Sequence, residues 1–252
     1  MPRGDKDAIM KYRIPVPPIE VQREIVRILD NFTELTAELT AELTAELTAR
    51  QKQYEYYRDQ LLTFVDNGGG TTRSDIRHCK VSDVASFIRG KRVVREQLSE
   101  DGKYPVYQNG LIPLGYYTEY NMPANVPFII GAGAAGDIGY SYDEFWAADD
   151  CFCFAGETSV FNRYLYYWFQ KNSLLIKNQV RKSSVPRLSH SVIENMLIDI
   201  PSSDEQKRIV SILDRFDALC NDLSSGLPAE IAARQKQYEY YRDKLLTFKQ
   251  LA

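Results

Sequence analysis

The residue pattern most open to a chemical reading is Gly131-Ala132-Gly133-Ala134-Ala135-Gly136, a GxGxxG string directly after the apolar run Pro127-Phe128-Ile129-Ile130. In a dinucleotide or S-adenosylmethionine site such glycines open a helix, whose N-terminus then faces the ligand. Here the glycines lead instead into Asp137-Ile138-Gly139-Tyr140-Ser141-Tyr142, which reads as strand or turn. The pattern therefore favours a tight glycine turn over a cofactor site. Metal chemistry has less to work with. Cys151 and Cys153 lack zinc-knuckle spacing, alternate across a strand-like run and have no second pair, so they read as core thiols. His78 and His190 are distant in sequence, each without a carboxylate at motif spacing. With 17 tyrosines against 2 histidines, most histidine-based catalytic sites lack raw material. There is no Walker A loop, no GxSxG elbow and no Asp/Asn-Pro-Pro-aromatic string. The residues predict no catalytic group, no bound cofactor and no metal.

Polar clusters remain. Ile88–Arg95 sets four cations around Gly90, and Lys177–Arg187 combines cations, amides and hydroxyls in a loop-like stretch. Tyr107-Gln108-Asn109-Gly110, Tyr116-Tyr117 and Tyr120-Asn121 add aromatic and amide groups on predicted turns. These are side chains that hold phosphates and read base edges. Any one cluster taken singly is an ordinary solvated surface. Together, without a catalytic constellation, they favour nucleic acid. The candidate DNA contacts are Arg89, Lys91, Arg92, Tyr107, Gln108, Asn109, Lys177, Arg181, Lys182, Ser183, Ser184 and Arg187. A net charge of -3 does not oppose this, because a local basic patch suffices.

The elements that must position these groups are marked by an internal repeat. ARQKQYEYYRD occurs at Ala49–Asp59 and again at Ala233–Asp243, with LLTF next at Leu61–Phe64 and Leu245–Phe248. Aligned without a gap at an offset of 184, Pro17–Phe64 and Pro201–Phe248 share roughly 28 of 48 residues. Both copies predict long helices starting after Pro17 and Pro201. The first spans about 46 residues, or roughly 69 Å, which needs a partner helix along its side, and the second copy supplies it. Ser224-Ser225-Gly226-Leu227-Pro228 should interrupt that second helix, and Asn67-Gly68-Gly69-Gly70 should end the first. Packing between the helices, or against partners, falls to Ile25, Leu29, Phe32, Leu39, Leu43, Tyr54 and Tyr57 in one copy. Ile209, Leu213, Phe216, Tyr238 and Tyr241 serve it in the other. Three TAEL units at Thr36–Leu47 form a helical spacer, each about 6 Å long and turning the stripe by about 40°.

Between the repeats, short β-rich runs (Lys80–Phe87, Tyr104–Val106, Val126–Ile130, Phe152–Phe154, Leu197–Ile200) alternate with a buried helix at Val160–Gln170 and a short one at Ser191–Met196. The expected fold class is an α/β (α+β) domain plus two long antiparallel helices forming a coiled-coil-like rod. Its divisions are residues 1–18, a domain tail; 19–66, the first repeat helix; 67–74, a Gly-rich linker; 75–201, the mixed domain; and 202–252, the second repeat helix. Residues 1–18 look like the tail of a domain whose body is absent, as in a truncated or half-length form, or like a plain N-terminal arm. Hydrophobic content of 44% and charged content of 26% exclude global disorder. No apolar run is long enough to span a membrane, so the expected address is cytoplasmic.

The whole arrangement resembles the DNA-specificity (S) subunit of type I restriction-modification systems, particularly the type IC branch. The resemblance rests on the paired ARQKQYEYYRDxLLTF helices, on IPxxxEQxxIVxILDxF at Ile200–Phe216 and Val16–Phe32 (with Val21 in place of the Glu), and on the TAEL units. Tyr104–Tyr107, the glycine turn and Ser183–Leu188 look like landmarks of a target recognition domain. The resemblance implies a non-catalytic scaffold that reads one half of a split site in double-stranded DNA. Its helices would hold two modification (methyltransferase) subunits, which carry S-adenosylmethionine and the catalytic residues, with restriction subunits joining them. The TAEL units would set the unread spacer. Only one recognition domain is present here, so self-association through the helices to read a symmetric site stays open. So does a coiled-coil adaptor whose middle domain binds protein.

Overall fold

The computed structural model describes residues 6–64, 76–99, 101–221 and 227–247. The chain divides into two compact units, Met1–Gln51 with Asp217–Ala252, and Lys52–Phe216. The predicted linker at 67–74 and most of the predicted break at 224–228 lie outside the described residues.

Helix α1 covers Lys6–Ile9, and α2 runs for 43 residues from Ile19 to Leu61. The described parts of the second repeat form α6 (Ser203–Asn221) and α7 (Leu227–Leu246). In the first unit the repeats run antiparallel. Phe32 meets Tyr241 at 5.6 Å between ring centroids, and the Thr33 and Tyr238 hydroxyls lie 3.1 Å apart. Ile25, Leu29, Leu39 and Leu43 are half-buried along α2. The spacer threonines turn their hydroxyls inward: Thr44 and Thr48 donate to the carbonyls of Thr40 and Thr44, at 2.6 and 2.9 Å. That face thus presents methyl groups, and with Tyr238 and Gln235 it lines a groove of about 720 Å³.

The second unit holds the mixed domain. A two-stranded sheet pairs β1 (Arg77–Lys80) with β9 (Leu197–Ile200). A four-stranded sheet has the order β2 (Ser86–Arg89), β8 (Cys151–Ala155), β5 (Val126–Ile130), β6 (Ile138–Ser141). A three-stranded sheet orders β4 (Gly115–Tyr117), β3 (Tyr104–Tyr107) and β7 (Trp146–Ala147), with only β3 and β7 parallel. The single strand expected at Lys80–Phe87 is split. The Asp83 carboxylate accepts from the Lys80 amide at 3.0 Å and closes a 3-10 turn at Val81–Asp83, so the two halves join different sheets. β5 and β8 are buried on both faces, which explains their unbroken apolar runs. Cys151 and Cys153 are fully buried there, and burial holds the Cys151 thiol well above its ordinary pKa.

Helix α3 (Ser159–Lys171) starts on Thr158, whose hydroxyl accepts from the Phe161 amide at 3.1 Å, and is buried nearly all round. Helices α4 (Ser173–Asn178) and α5 (His190–Glu194) come next. Both histidines do have carboxylates, contrary to what their sequence spacing suggests. His78 bonds Asp199 across the β1–β9 pair, and His190 Nδ1 lies 2.7 Å from Glu194 one turn along α5. The first pairing joins residues far apart in sequence; the second needs α5 to begin at His190, one residue before the short helix expected at Ser191–Met196.

Two polar anchors tie this domain to the repeat segments within its own unit. Lys171 Nζ donates to the Leu62 carbonyl and the Thr63 hydroxyl at 2.8 and 2.7 Å, capping the end of α2. Arg163, 5% exposed, sits inside four tyrosines, with Tyr140, Tyr142, Tyr166 and Tyr167 ring centroids 4.6–5.0 Å from its guanidinium. Its Nε donates to Asp214 of α6 at 2.7 Å, and the Tyr167 hydroxyl donates to the same oxygen at 2.6 Å. Burial alone would depress the guanidinium's pKa, but Tyr167, Asp214 and Tyr142 outweigh it and hold the charge firmly. Burial also pushes Tyr140 up to about 12. Removing the carboxylate strands a buried cation. Asp214→Ala is expected to lower stability by about 2–4 kcal/mol in urea unfolding, with Tyr167→Phe costing about 1 kcal/mol. Wild-type stability in Asp214→Ala would show that the pair contributes nothing.

Candidate nucleic-acid interface

Residues 131–136 form a turn between β5 and β6, and no helix opens on them. The Gly136 amide donates back to Ile130 at 2.8 Å and Asp137 to Ala134 at 3.0 Å. Gly133 and Gly136 have φ of 82° and 88°, a left-handed backbone that side chains resist. The expectation of a tight glycine turn is met.

Three sequence-distant segments converge on it. The Ala134 amide donates to the Asn109 carbonyl at 2.9 Å, and a Cβ on Gly133 would stand 2.9 Å from that oxygen. A Cβ on Gly136 would come within 3.1 Å of Lys177, whose Nζ is 2.8 Å from Asp137. Leu188 donates to the Gly131 carbonyl at 2.8 Å, and Ala132 bridges Arg187. Arg181 and Arg187 exchange backbone hydrogen bonds at 2.8 and 3.2 Å, presenting Lys182, Ser183 and Ser184 in an exposed loop. This corrects one expectation. The stretch from Lys177 is not a single loop: Lys177 and Asn178 end α4, and the loop proper is closed by the Arg181–Arg187 bridge.

The cations around Gly90 join from the other side. A Cβ on Gly90 would overlap the Ala148 carbonyl, so only glycine lets the chain lie against the end of β7 there. The Gly90 amide donates to Cys151 and the Lys91 amide to Ala147, at 3.1 and 2.9 Å. Beyond them Arg92, Val94 and Arg95 share a groove of about 430 Å³ with Gln108, Asn109, Gly110 and Ile112. Arg89 Nε reaches the Asp149 carbonyl at 3.4 Å, and neither Arg89 nor Lys91 lines that groove. Asn109 thus touches both the groove and the glycine turn.

Tyr107 is held partly by the core. It lies in β3, with its ring 4.7 Å from Phe128 and 5.6 Å from Phe145, and burial raises its hydroxyl pKa. Its ring packs on the core beside Gln108 and Asn109, while the residue stays half-buried and lines a surface groove with Tyr104, Tyr116 and Tyr142. Arg95, the last of the four cations around Gly90, lines the groove as well; nothing in the sequence singles out Ile112, because an exposed apolar residue in a loop carries no motif. Among the described residues no group of His, Cys, Asp or Glu is placed to hold a metal ion, and no helix is long and apolar enough to cross a membrane.

The chain matches the family described as type I restriction modification DNA specificity domain over residues 1–49 and 74–233. It is similar to a type I restriction enzyme specificity subunit of Haemophilus influenzae, 36% identical over 96% of this chain and 66% of that one. The EcoR124I/EcoR124II specificity subunit of Escherichia coli is 33% identical, covering 94% and 63%. The chain thus spans just under two thirds of the length of these two relatives. A type I specificity subunit of Mycoplasma pneumoniae is 32% identical over 94% of this chain and 96% of its own length. In fold, the chain superposes on a crystal structure of the type I S subunit from M. genitalium with a TM-score of 0.69 at 19% identity, covering 93% and 62%.

The turn's role can be tested by adding one methyl group. Gly133→Ala is expected to cost about 1–3 kcal/mol and to displace the 108–112 loop, because its φ is left-handed and the Cβ meets Asn109. Gly110→Ala, where a Cβ would meet nothing within 4 Å, should cost far less. Equal unfolding midpoints for the two variants would refute the turn as organiser.

Proposed function

Because this chain belongs to the type I restriction-modification DNA specificity family, we propose that it is a non-catalytic recognition and scaffold subunit, of the type IC branch, that reads one half-site of a bipartite target in double-stranded DNA. The observation that carries this is the convergence of three separate polar segments on one glycine turn. Arg181, Lys182 and Arg187 are placed to hold phosphates, while Gln108, Asn109, Ser183 and Ser184 offer hydrogen bonds to base edges. Residues 75–201 act as the target recognition domain. The repeat helices, residues 19–66 and 202–252, dock two modification subunits, and restriction subunits join that complex. S-adenosylmethionine and the methyl-transfer residues belong to the modification subunits, and the working compartment is the cytoplasm.

One observation favours self-association as a second reading. Gln22 Nε2 donates to Pro17 at 2.7 Å just as Gln206 Nε2 donates to Pro201 at 2.9 Å, so the two repeats begin alike. Ile209 and Leu213 are fully buried, whereas their counterparts Ile25 and Leu29 are only half-buried and Val26 is 55% exposed. Asp214 receives Arg163, yet among the described residues Asp30 has no ion pair. The first repeat therefore carries the same docking face with less covering it. A second recognition domain, supplied by another chain, would satisfy it and make the site symmetric.

Co-expression with the modification subunits should yield a stable complex that methylates adenines at one DNA sequence; a complex without sequence preference would sink the recognition role. In that complex Lys182→Ala and Arg187→Ala should each weaken binding to all duplexes and reduce the salt slope by about one. Unchanged affinity in both variants would displace the DNA face from this loop. Calorimetric titration of the isolated chain with S-adenosylmethionine should show no heat; a saturable heat would move the cofactor onto this subunit.

A further inference from the structure

The loop between β3 and β4 ends in two adjacent apolar side chains, Leu111 and Ile112, and Ile112 is 87% exposed, the highest value among the large hydrophobic residues described. The loop is held, not loose. The Leu114 amide donates to Val106 at 2.8 Å on one side, and the Asn109 carbonyl accepts from Ala134 at 2.9 Å on the other. Pro113 stiffens the chain immediately after the tip. The fold thus presents an isoleucine to water on a braced support, forgoing the stabilisation its burial would bring.

The surroundings specify what covers it. Ile112 lines one groove with Arg92, Arg95, Gln108 and Asn109; Val94, 40% exposed, and one carboxylate, Glu96, line the same groove. An apolar tip beside two arginines and two amides, with a single carboxylate among them, is complementary to a polyanion whose interior is apolar. A base-paired duplex has that construction, with phosphates outside and stacked bases within. We propose that Ile112 is an apolar wedge that inserts at a base step of the bound DNA while Arg92 and Arg95 hold the flanking phosphates. Proteins that insert such wedges unstack one step and bend the duplex around the contact. The deformation is easiest at pyrimidine–purine steps, so Ile112 contributes to sequence preference without a hydrogen bond. The inference rests on the DNA-reading role proposed above and adds to it a residue with no polar chemistry.

The test uses the full chain assembled with its modification subunits and duplexes carrying the methylated sequence, with 2-aminopurine placed at each step in turn. The wild-type complex should brighten the probe at one step within the half-site. Ile112→Ala should abolish that brightening and weaken specific binding by about tenfold, while Ile112→Met restores both. Since Ile112 is solvent-exposed, neither variant should alter folding, which circular dichroism checks. Unchanged brightening and affinity in Ile112→Ala would overturn the wedge and leave DNA recognition standing. Loss of the modification subunits from Ile112→Ala without DNA would assign the residue to a protein contact, and that also overturns it. A wild-type complex with no sequence-specific binding would remove the DNA-reading role itself, and the wedge with it.

Discussion

The candidate interface depends on a backbone constraint at one place: where β5 ends, the chain must reverse within seven residues into β6 while other segments press against it. Gly133 and Gly136 make this possible by adopting left-handed conformations. Their missing side chains leave room for Asn109 and Lys177 to approach closely. Of the candidate contacts, Asn109, Lys177 and Arg187 meet this turn, Arg92 and Gln108 share the groove beside it, and Lys182, Ser183 and Ser184 sit in the loop closed by the Arg181–Arg187 bridge. The glycines therefore act as a structural junction, and the resemblance of their spacing to a cofactor loop comes from the same need for close approach, used here between protein segments.

A second constraint works through charge. Arg163 is a cation taken out of water, stabilised by four tyrosine faces and by Asp214. The arrangement explains part of the chain's unusual tyrosine content, since Tyr140, Tyr142, Tyr166 and Tyr167 are all committed to it. Because Asp214 belongs to the second repeat helix, the ion pair also fixes how that segment of α6 meets the domain. Lys171 does the same for the end of α2. Two polar anchors, one at each repeat segment, hold the domain where apolar packing alone would permit sliding.

Much of the fold was legible before any coordinates. The repeat fixed both long helices, because apolar residues at helical spacing over so many turns admit no other element. The runs at Val126–Ile130 and Phe152–Phe154 were visible as strands because strands buried on both faces must be apolar throughout. Lys80–Phe87 misled, because one aspartate side chain competing for the backbone breaks a strand without altering its apolar texture. The surroundings of Tyr107 were not legible, because its neighbours Gln108 and Asn109 are polar and the rings it packs on, Phe128 and Phe145, are distant in sequence.

The amino-acid sequence by itself determined the repeat helices, the mixed domain between them and the polar segments from which an interface is built. These follow from local periodicity and composition, which need no knowledge of what lies opposite. Tertiary structure alone decided which of those segments share a surface, which aromatic residues face the core, and that Ile112 stands at a braced tip beside Arg92 and Arg95. The physical reason is range. Helix and strand signals are written within a few residues, whereas Asn109, Gly133, Lys177 and Arg187 meet only because sheet pairing and left-handed glycines close long stretches of chain onto one turn.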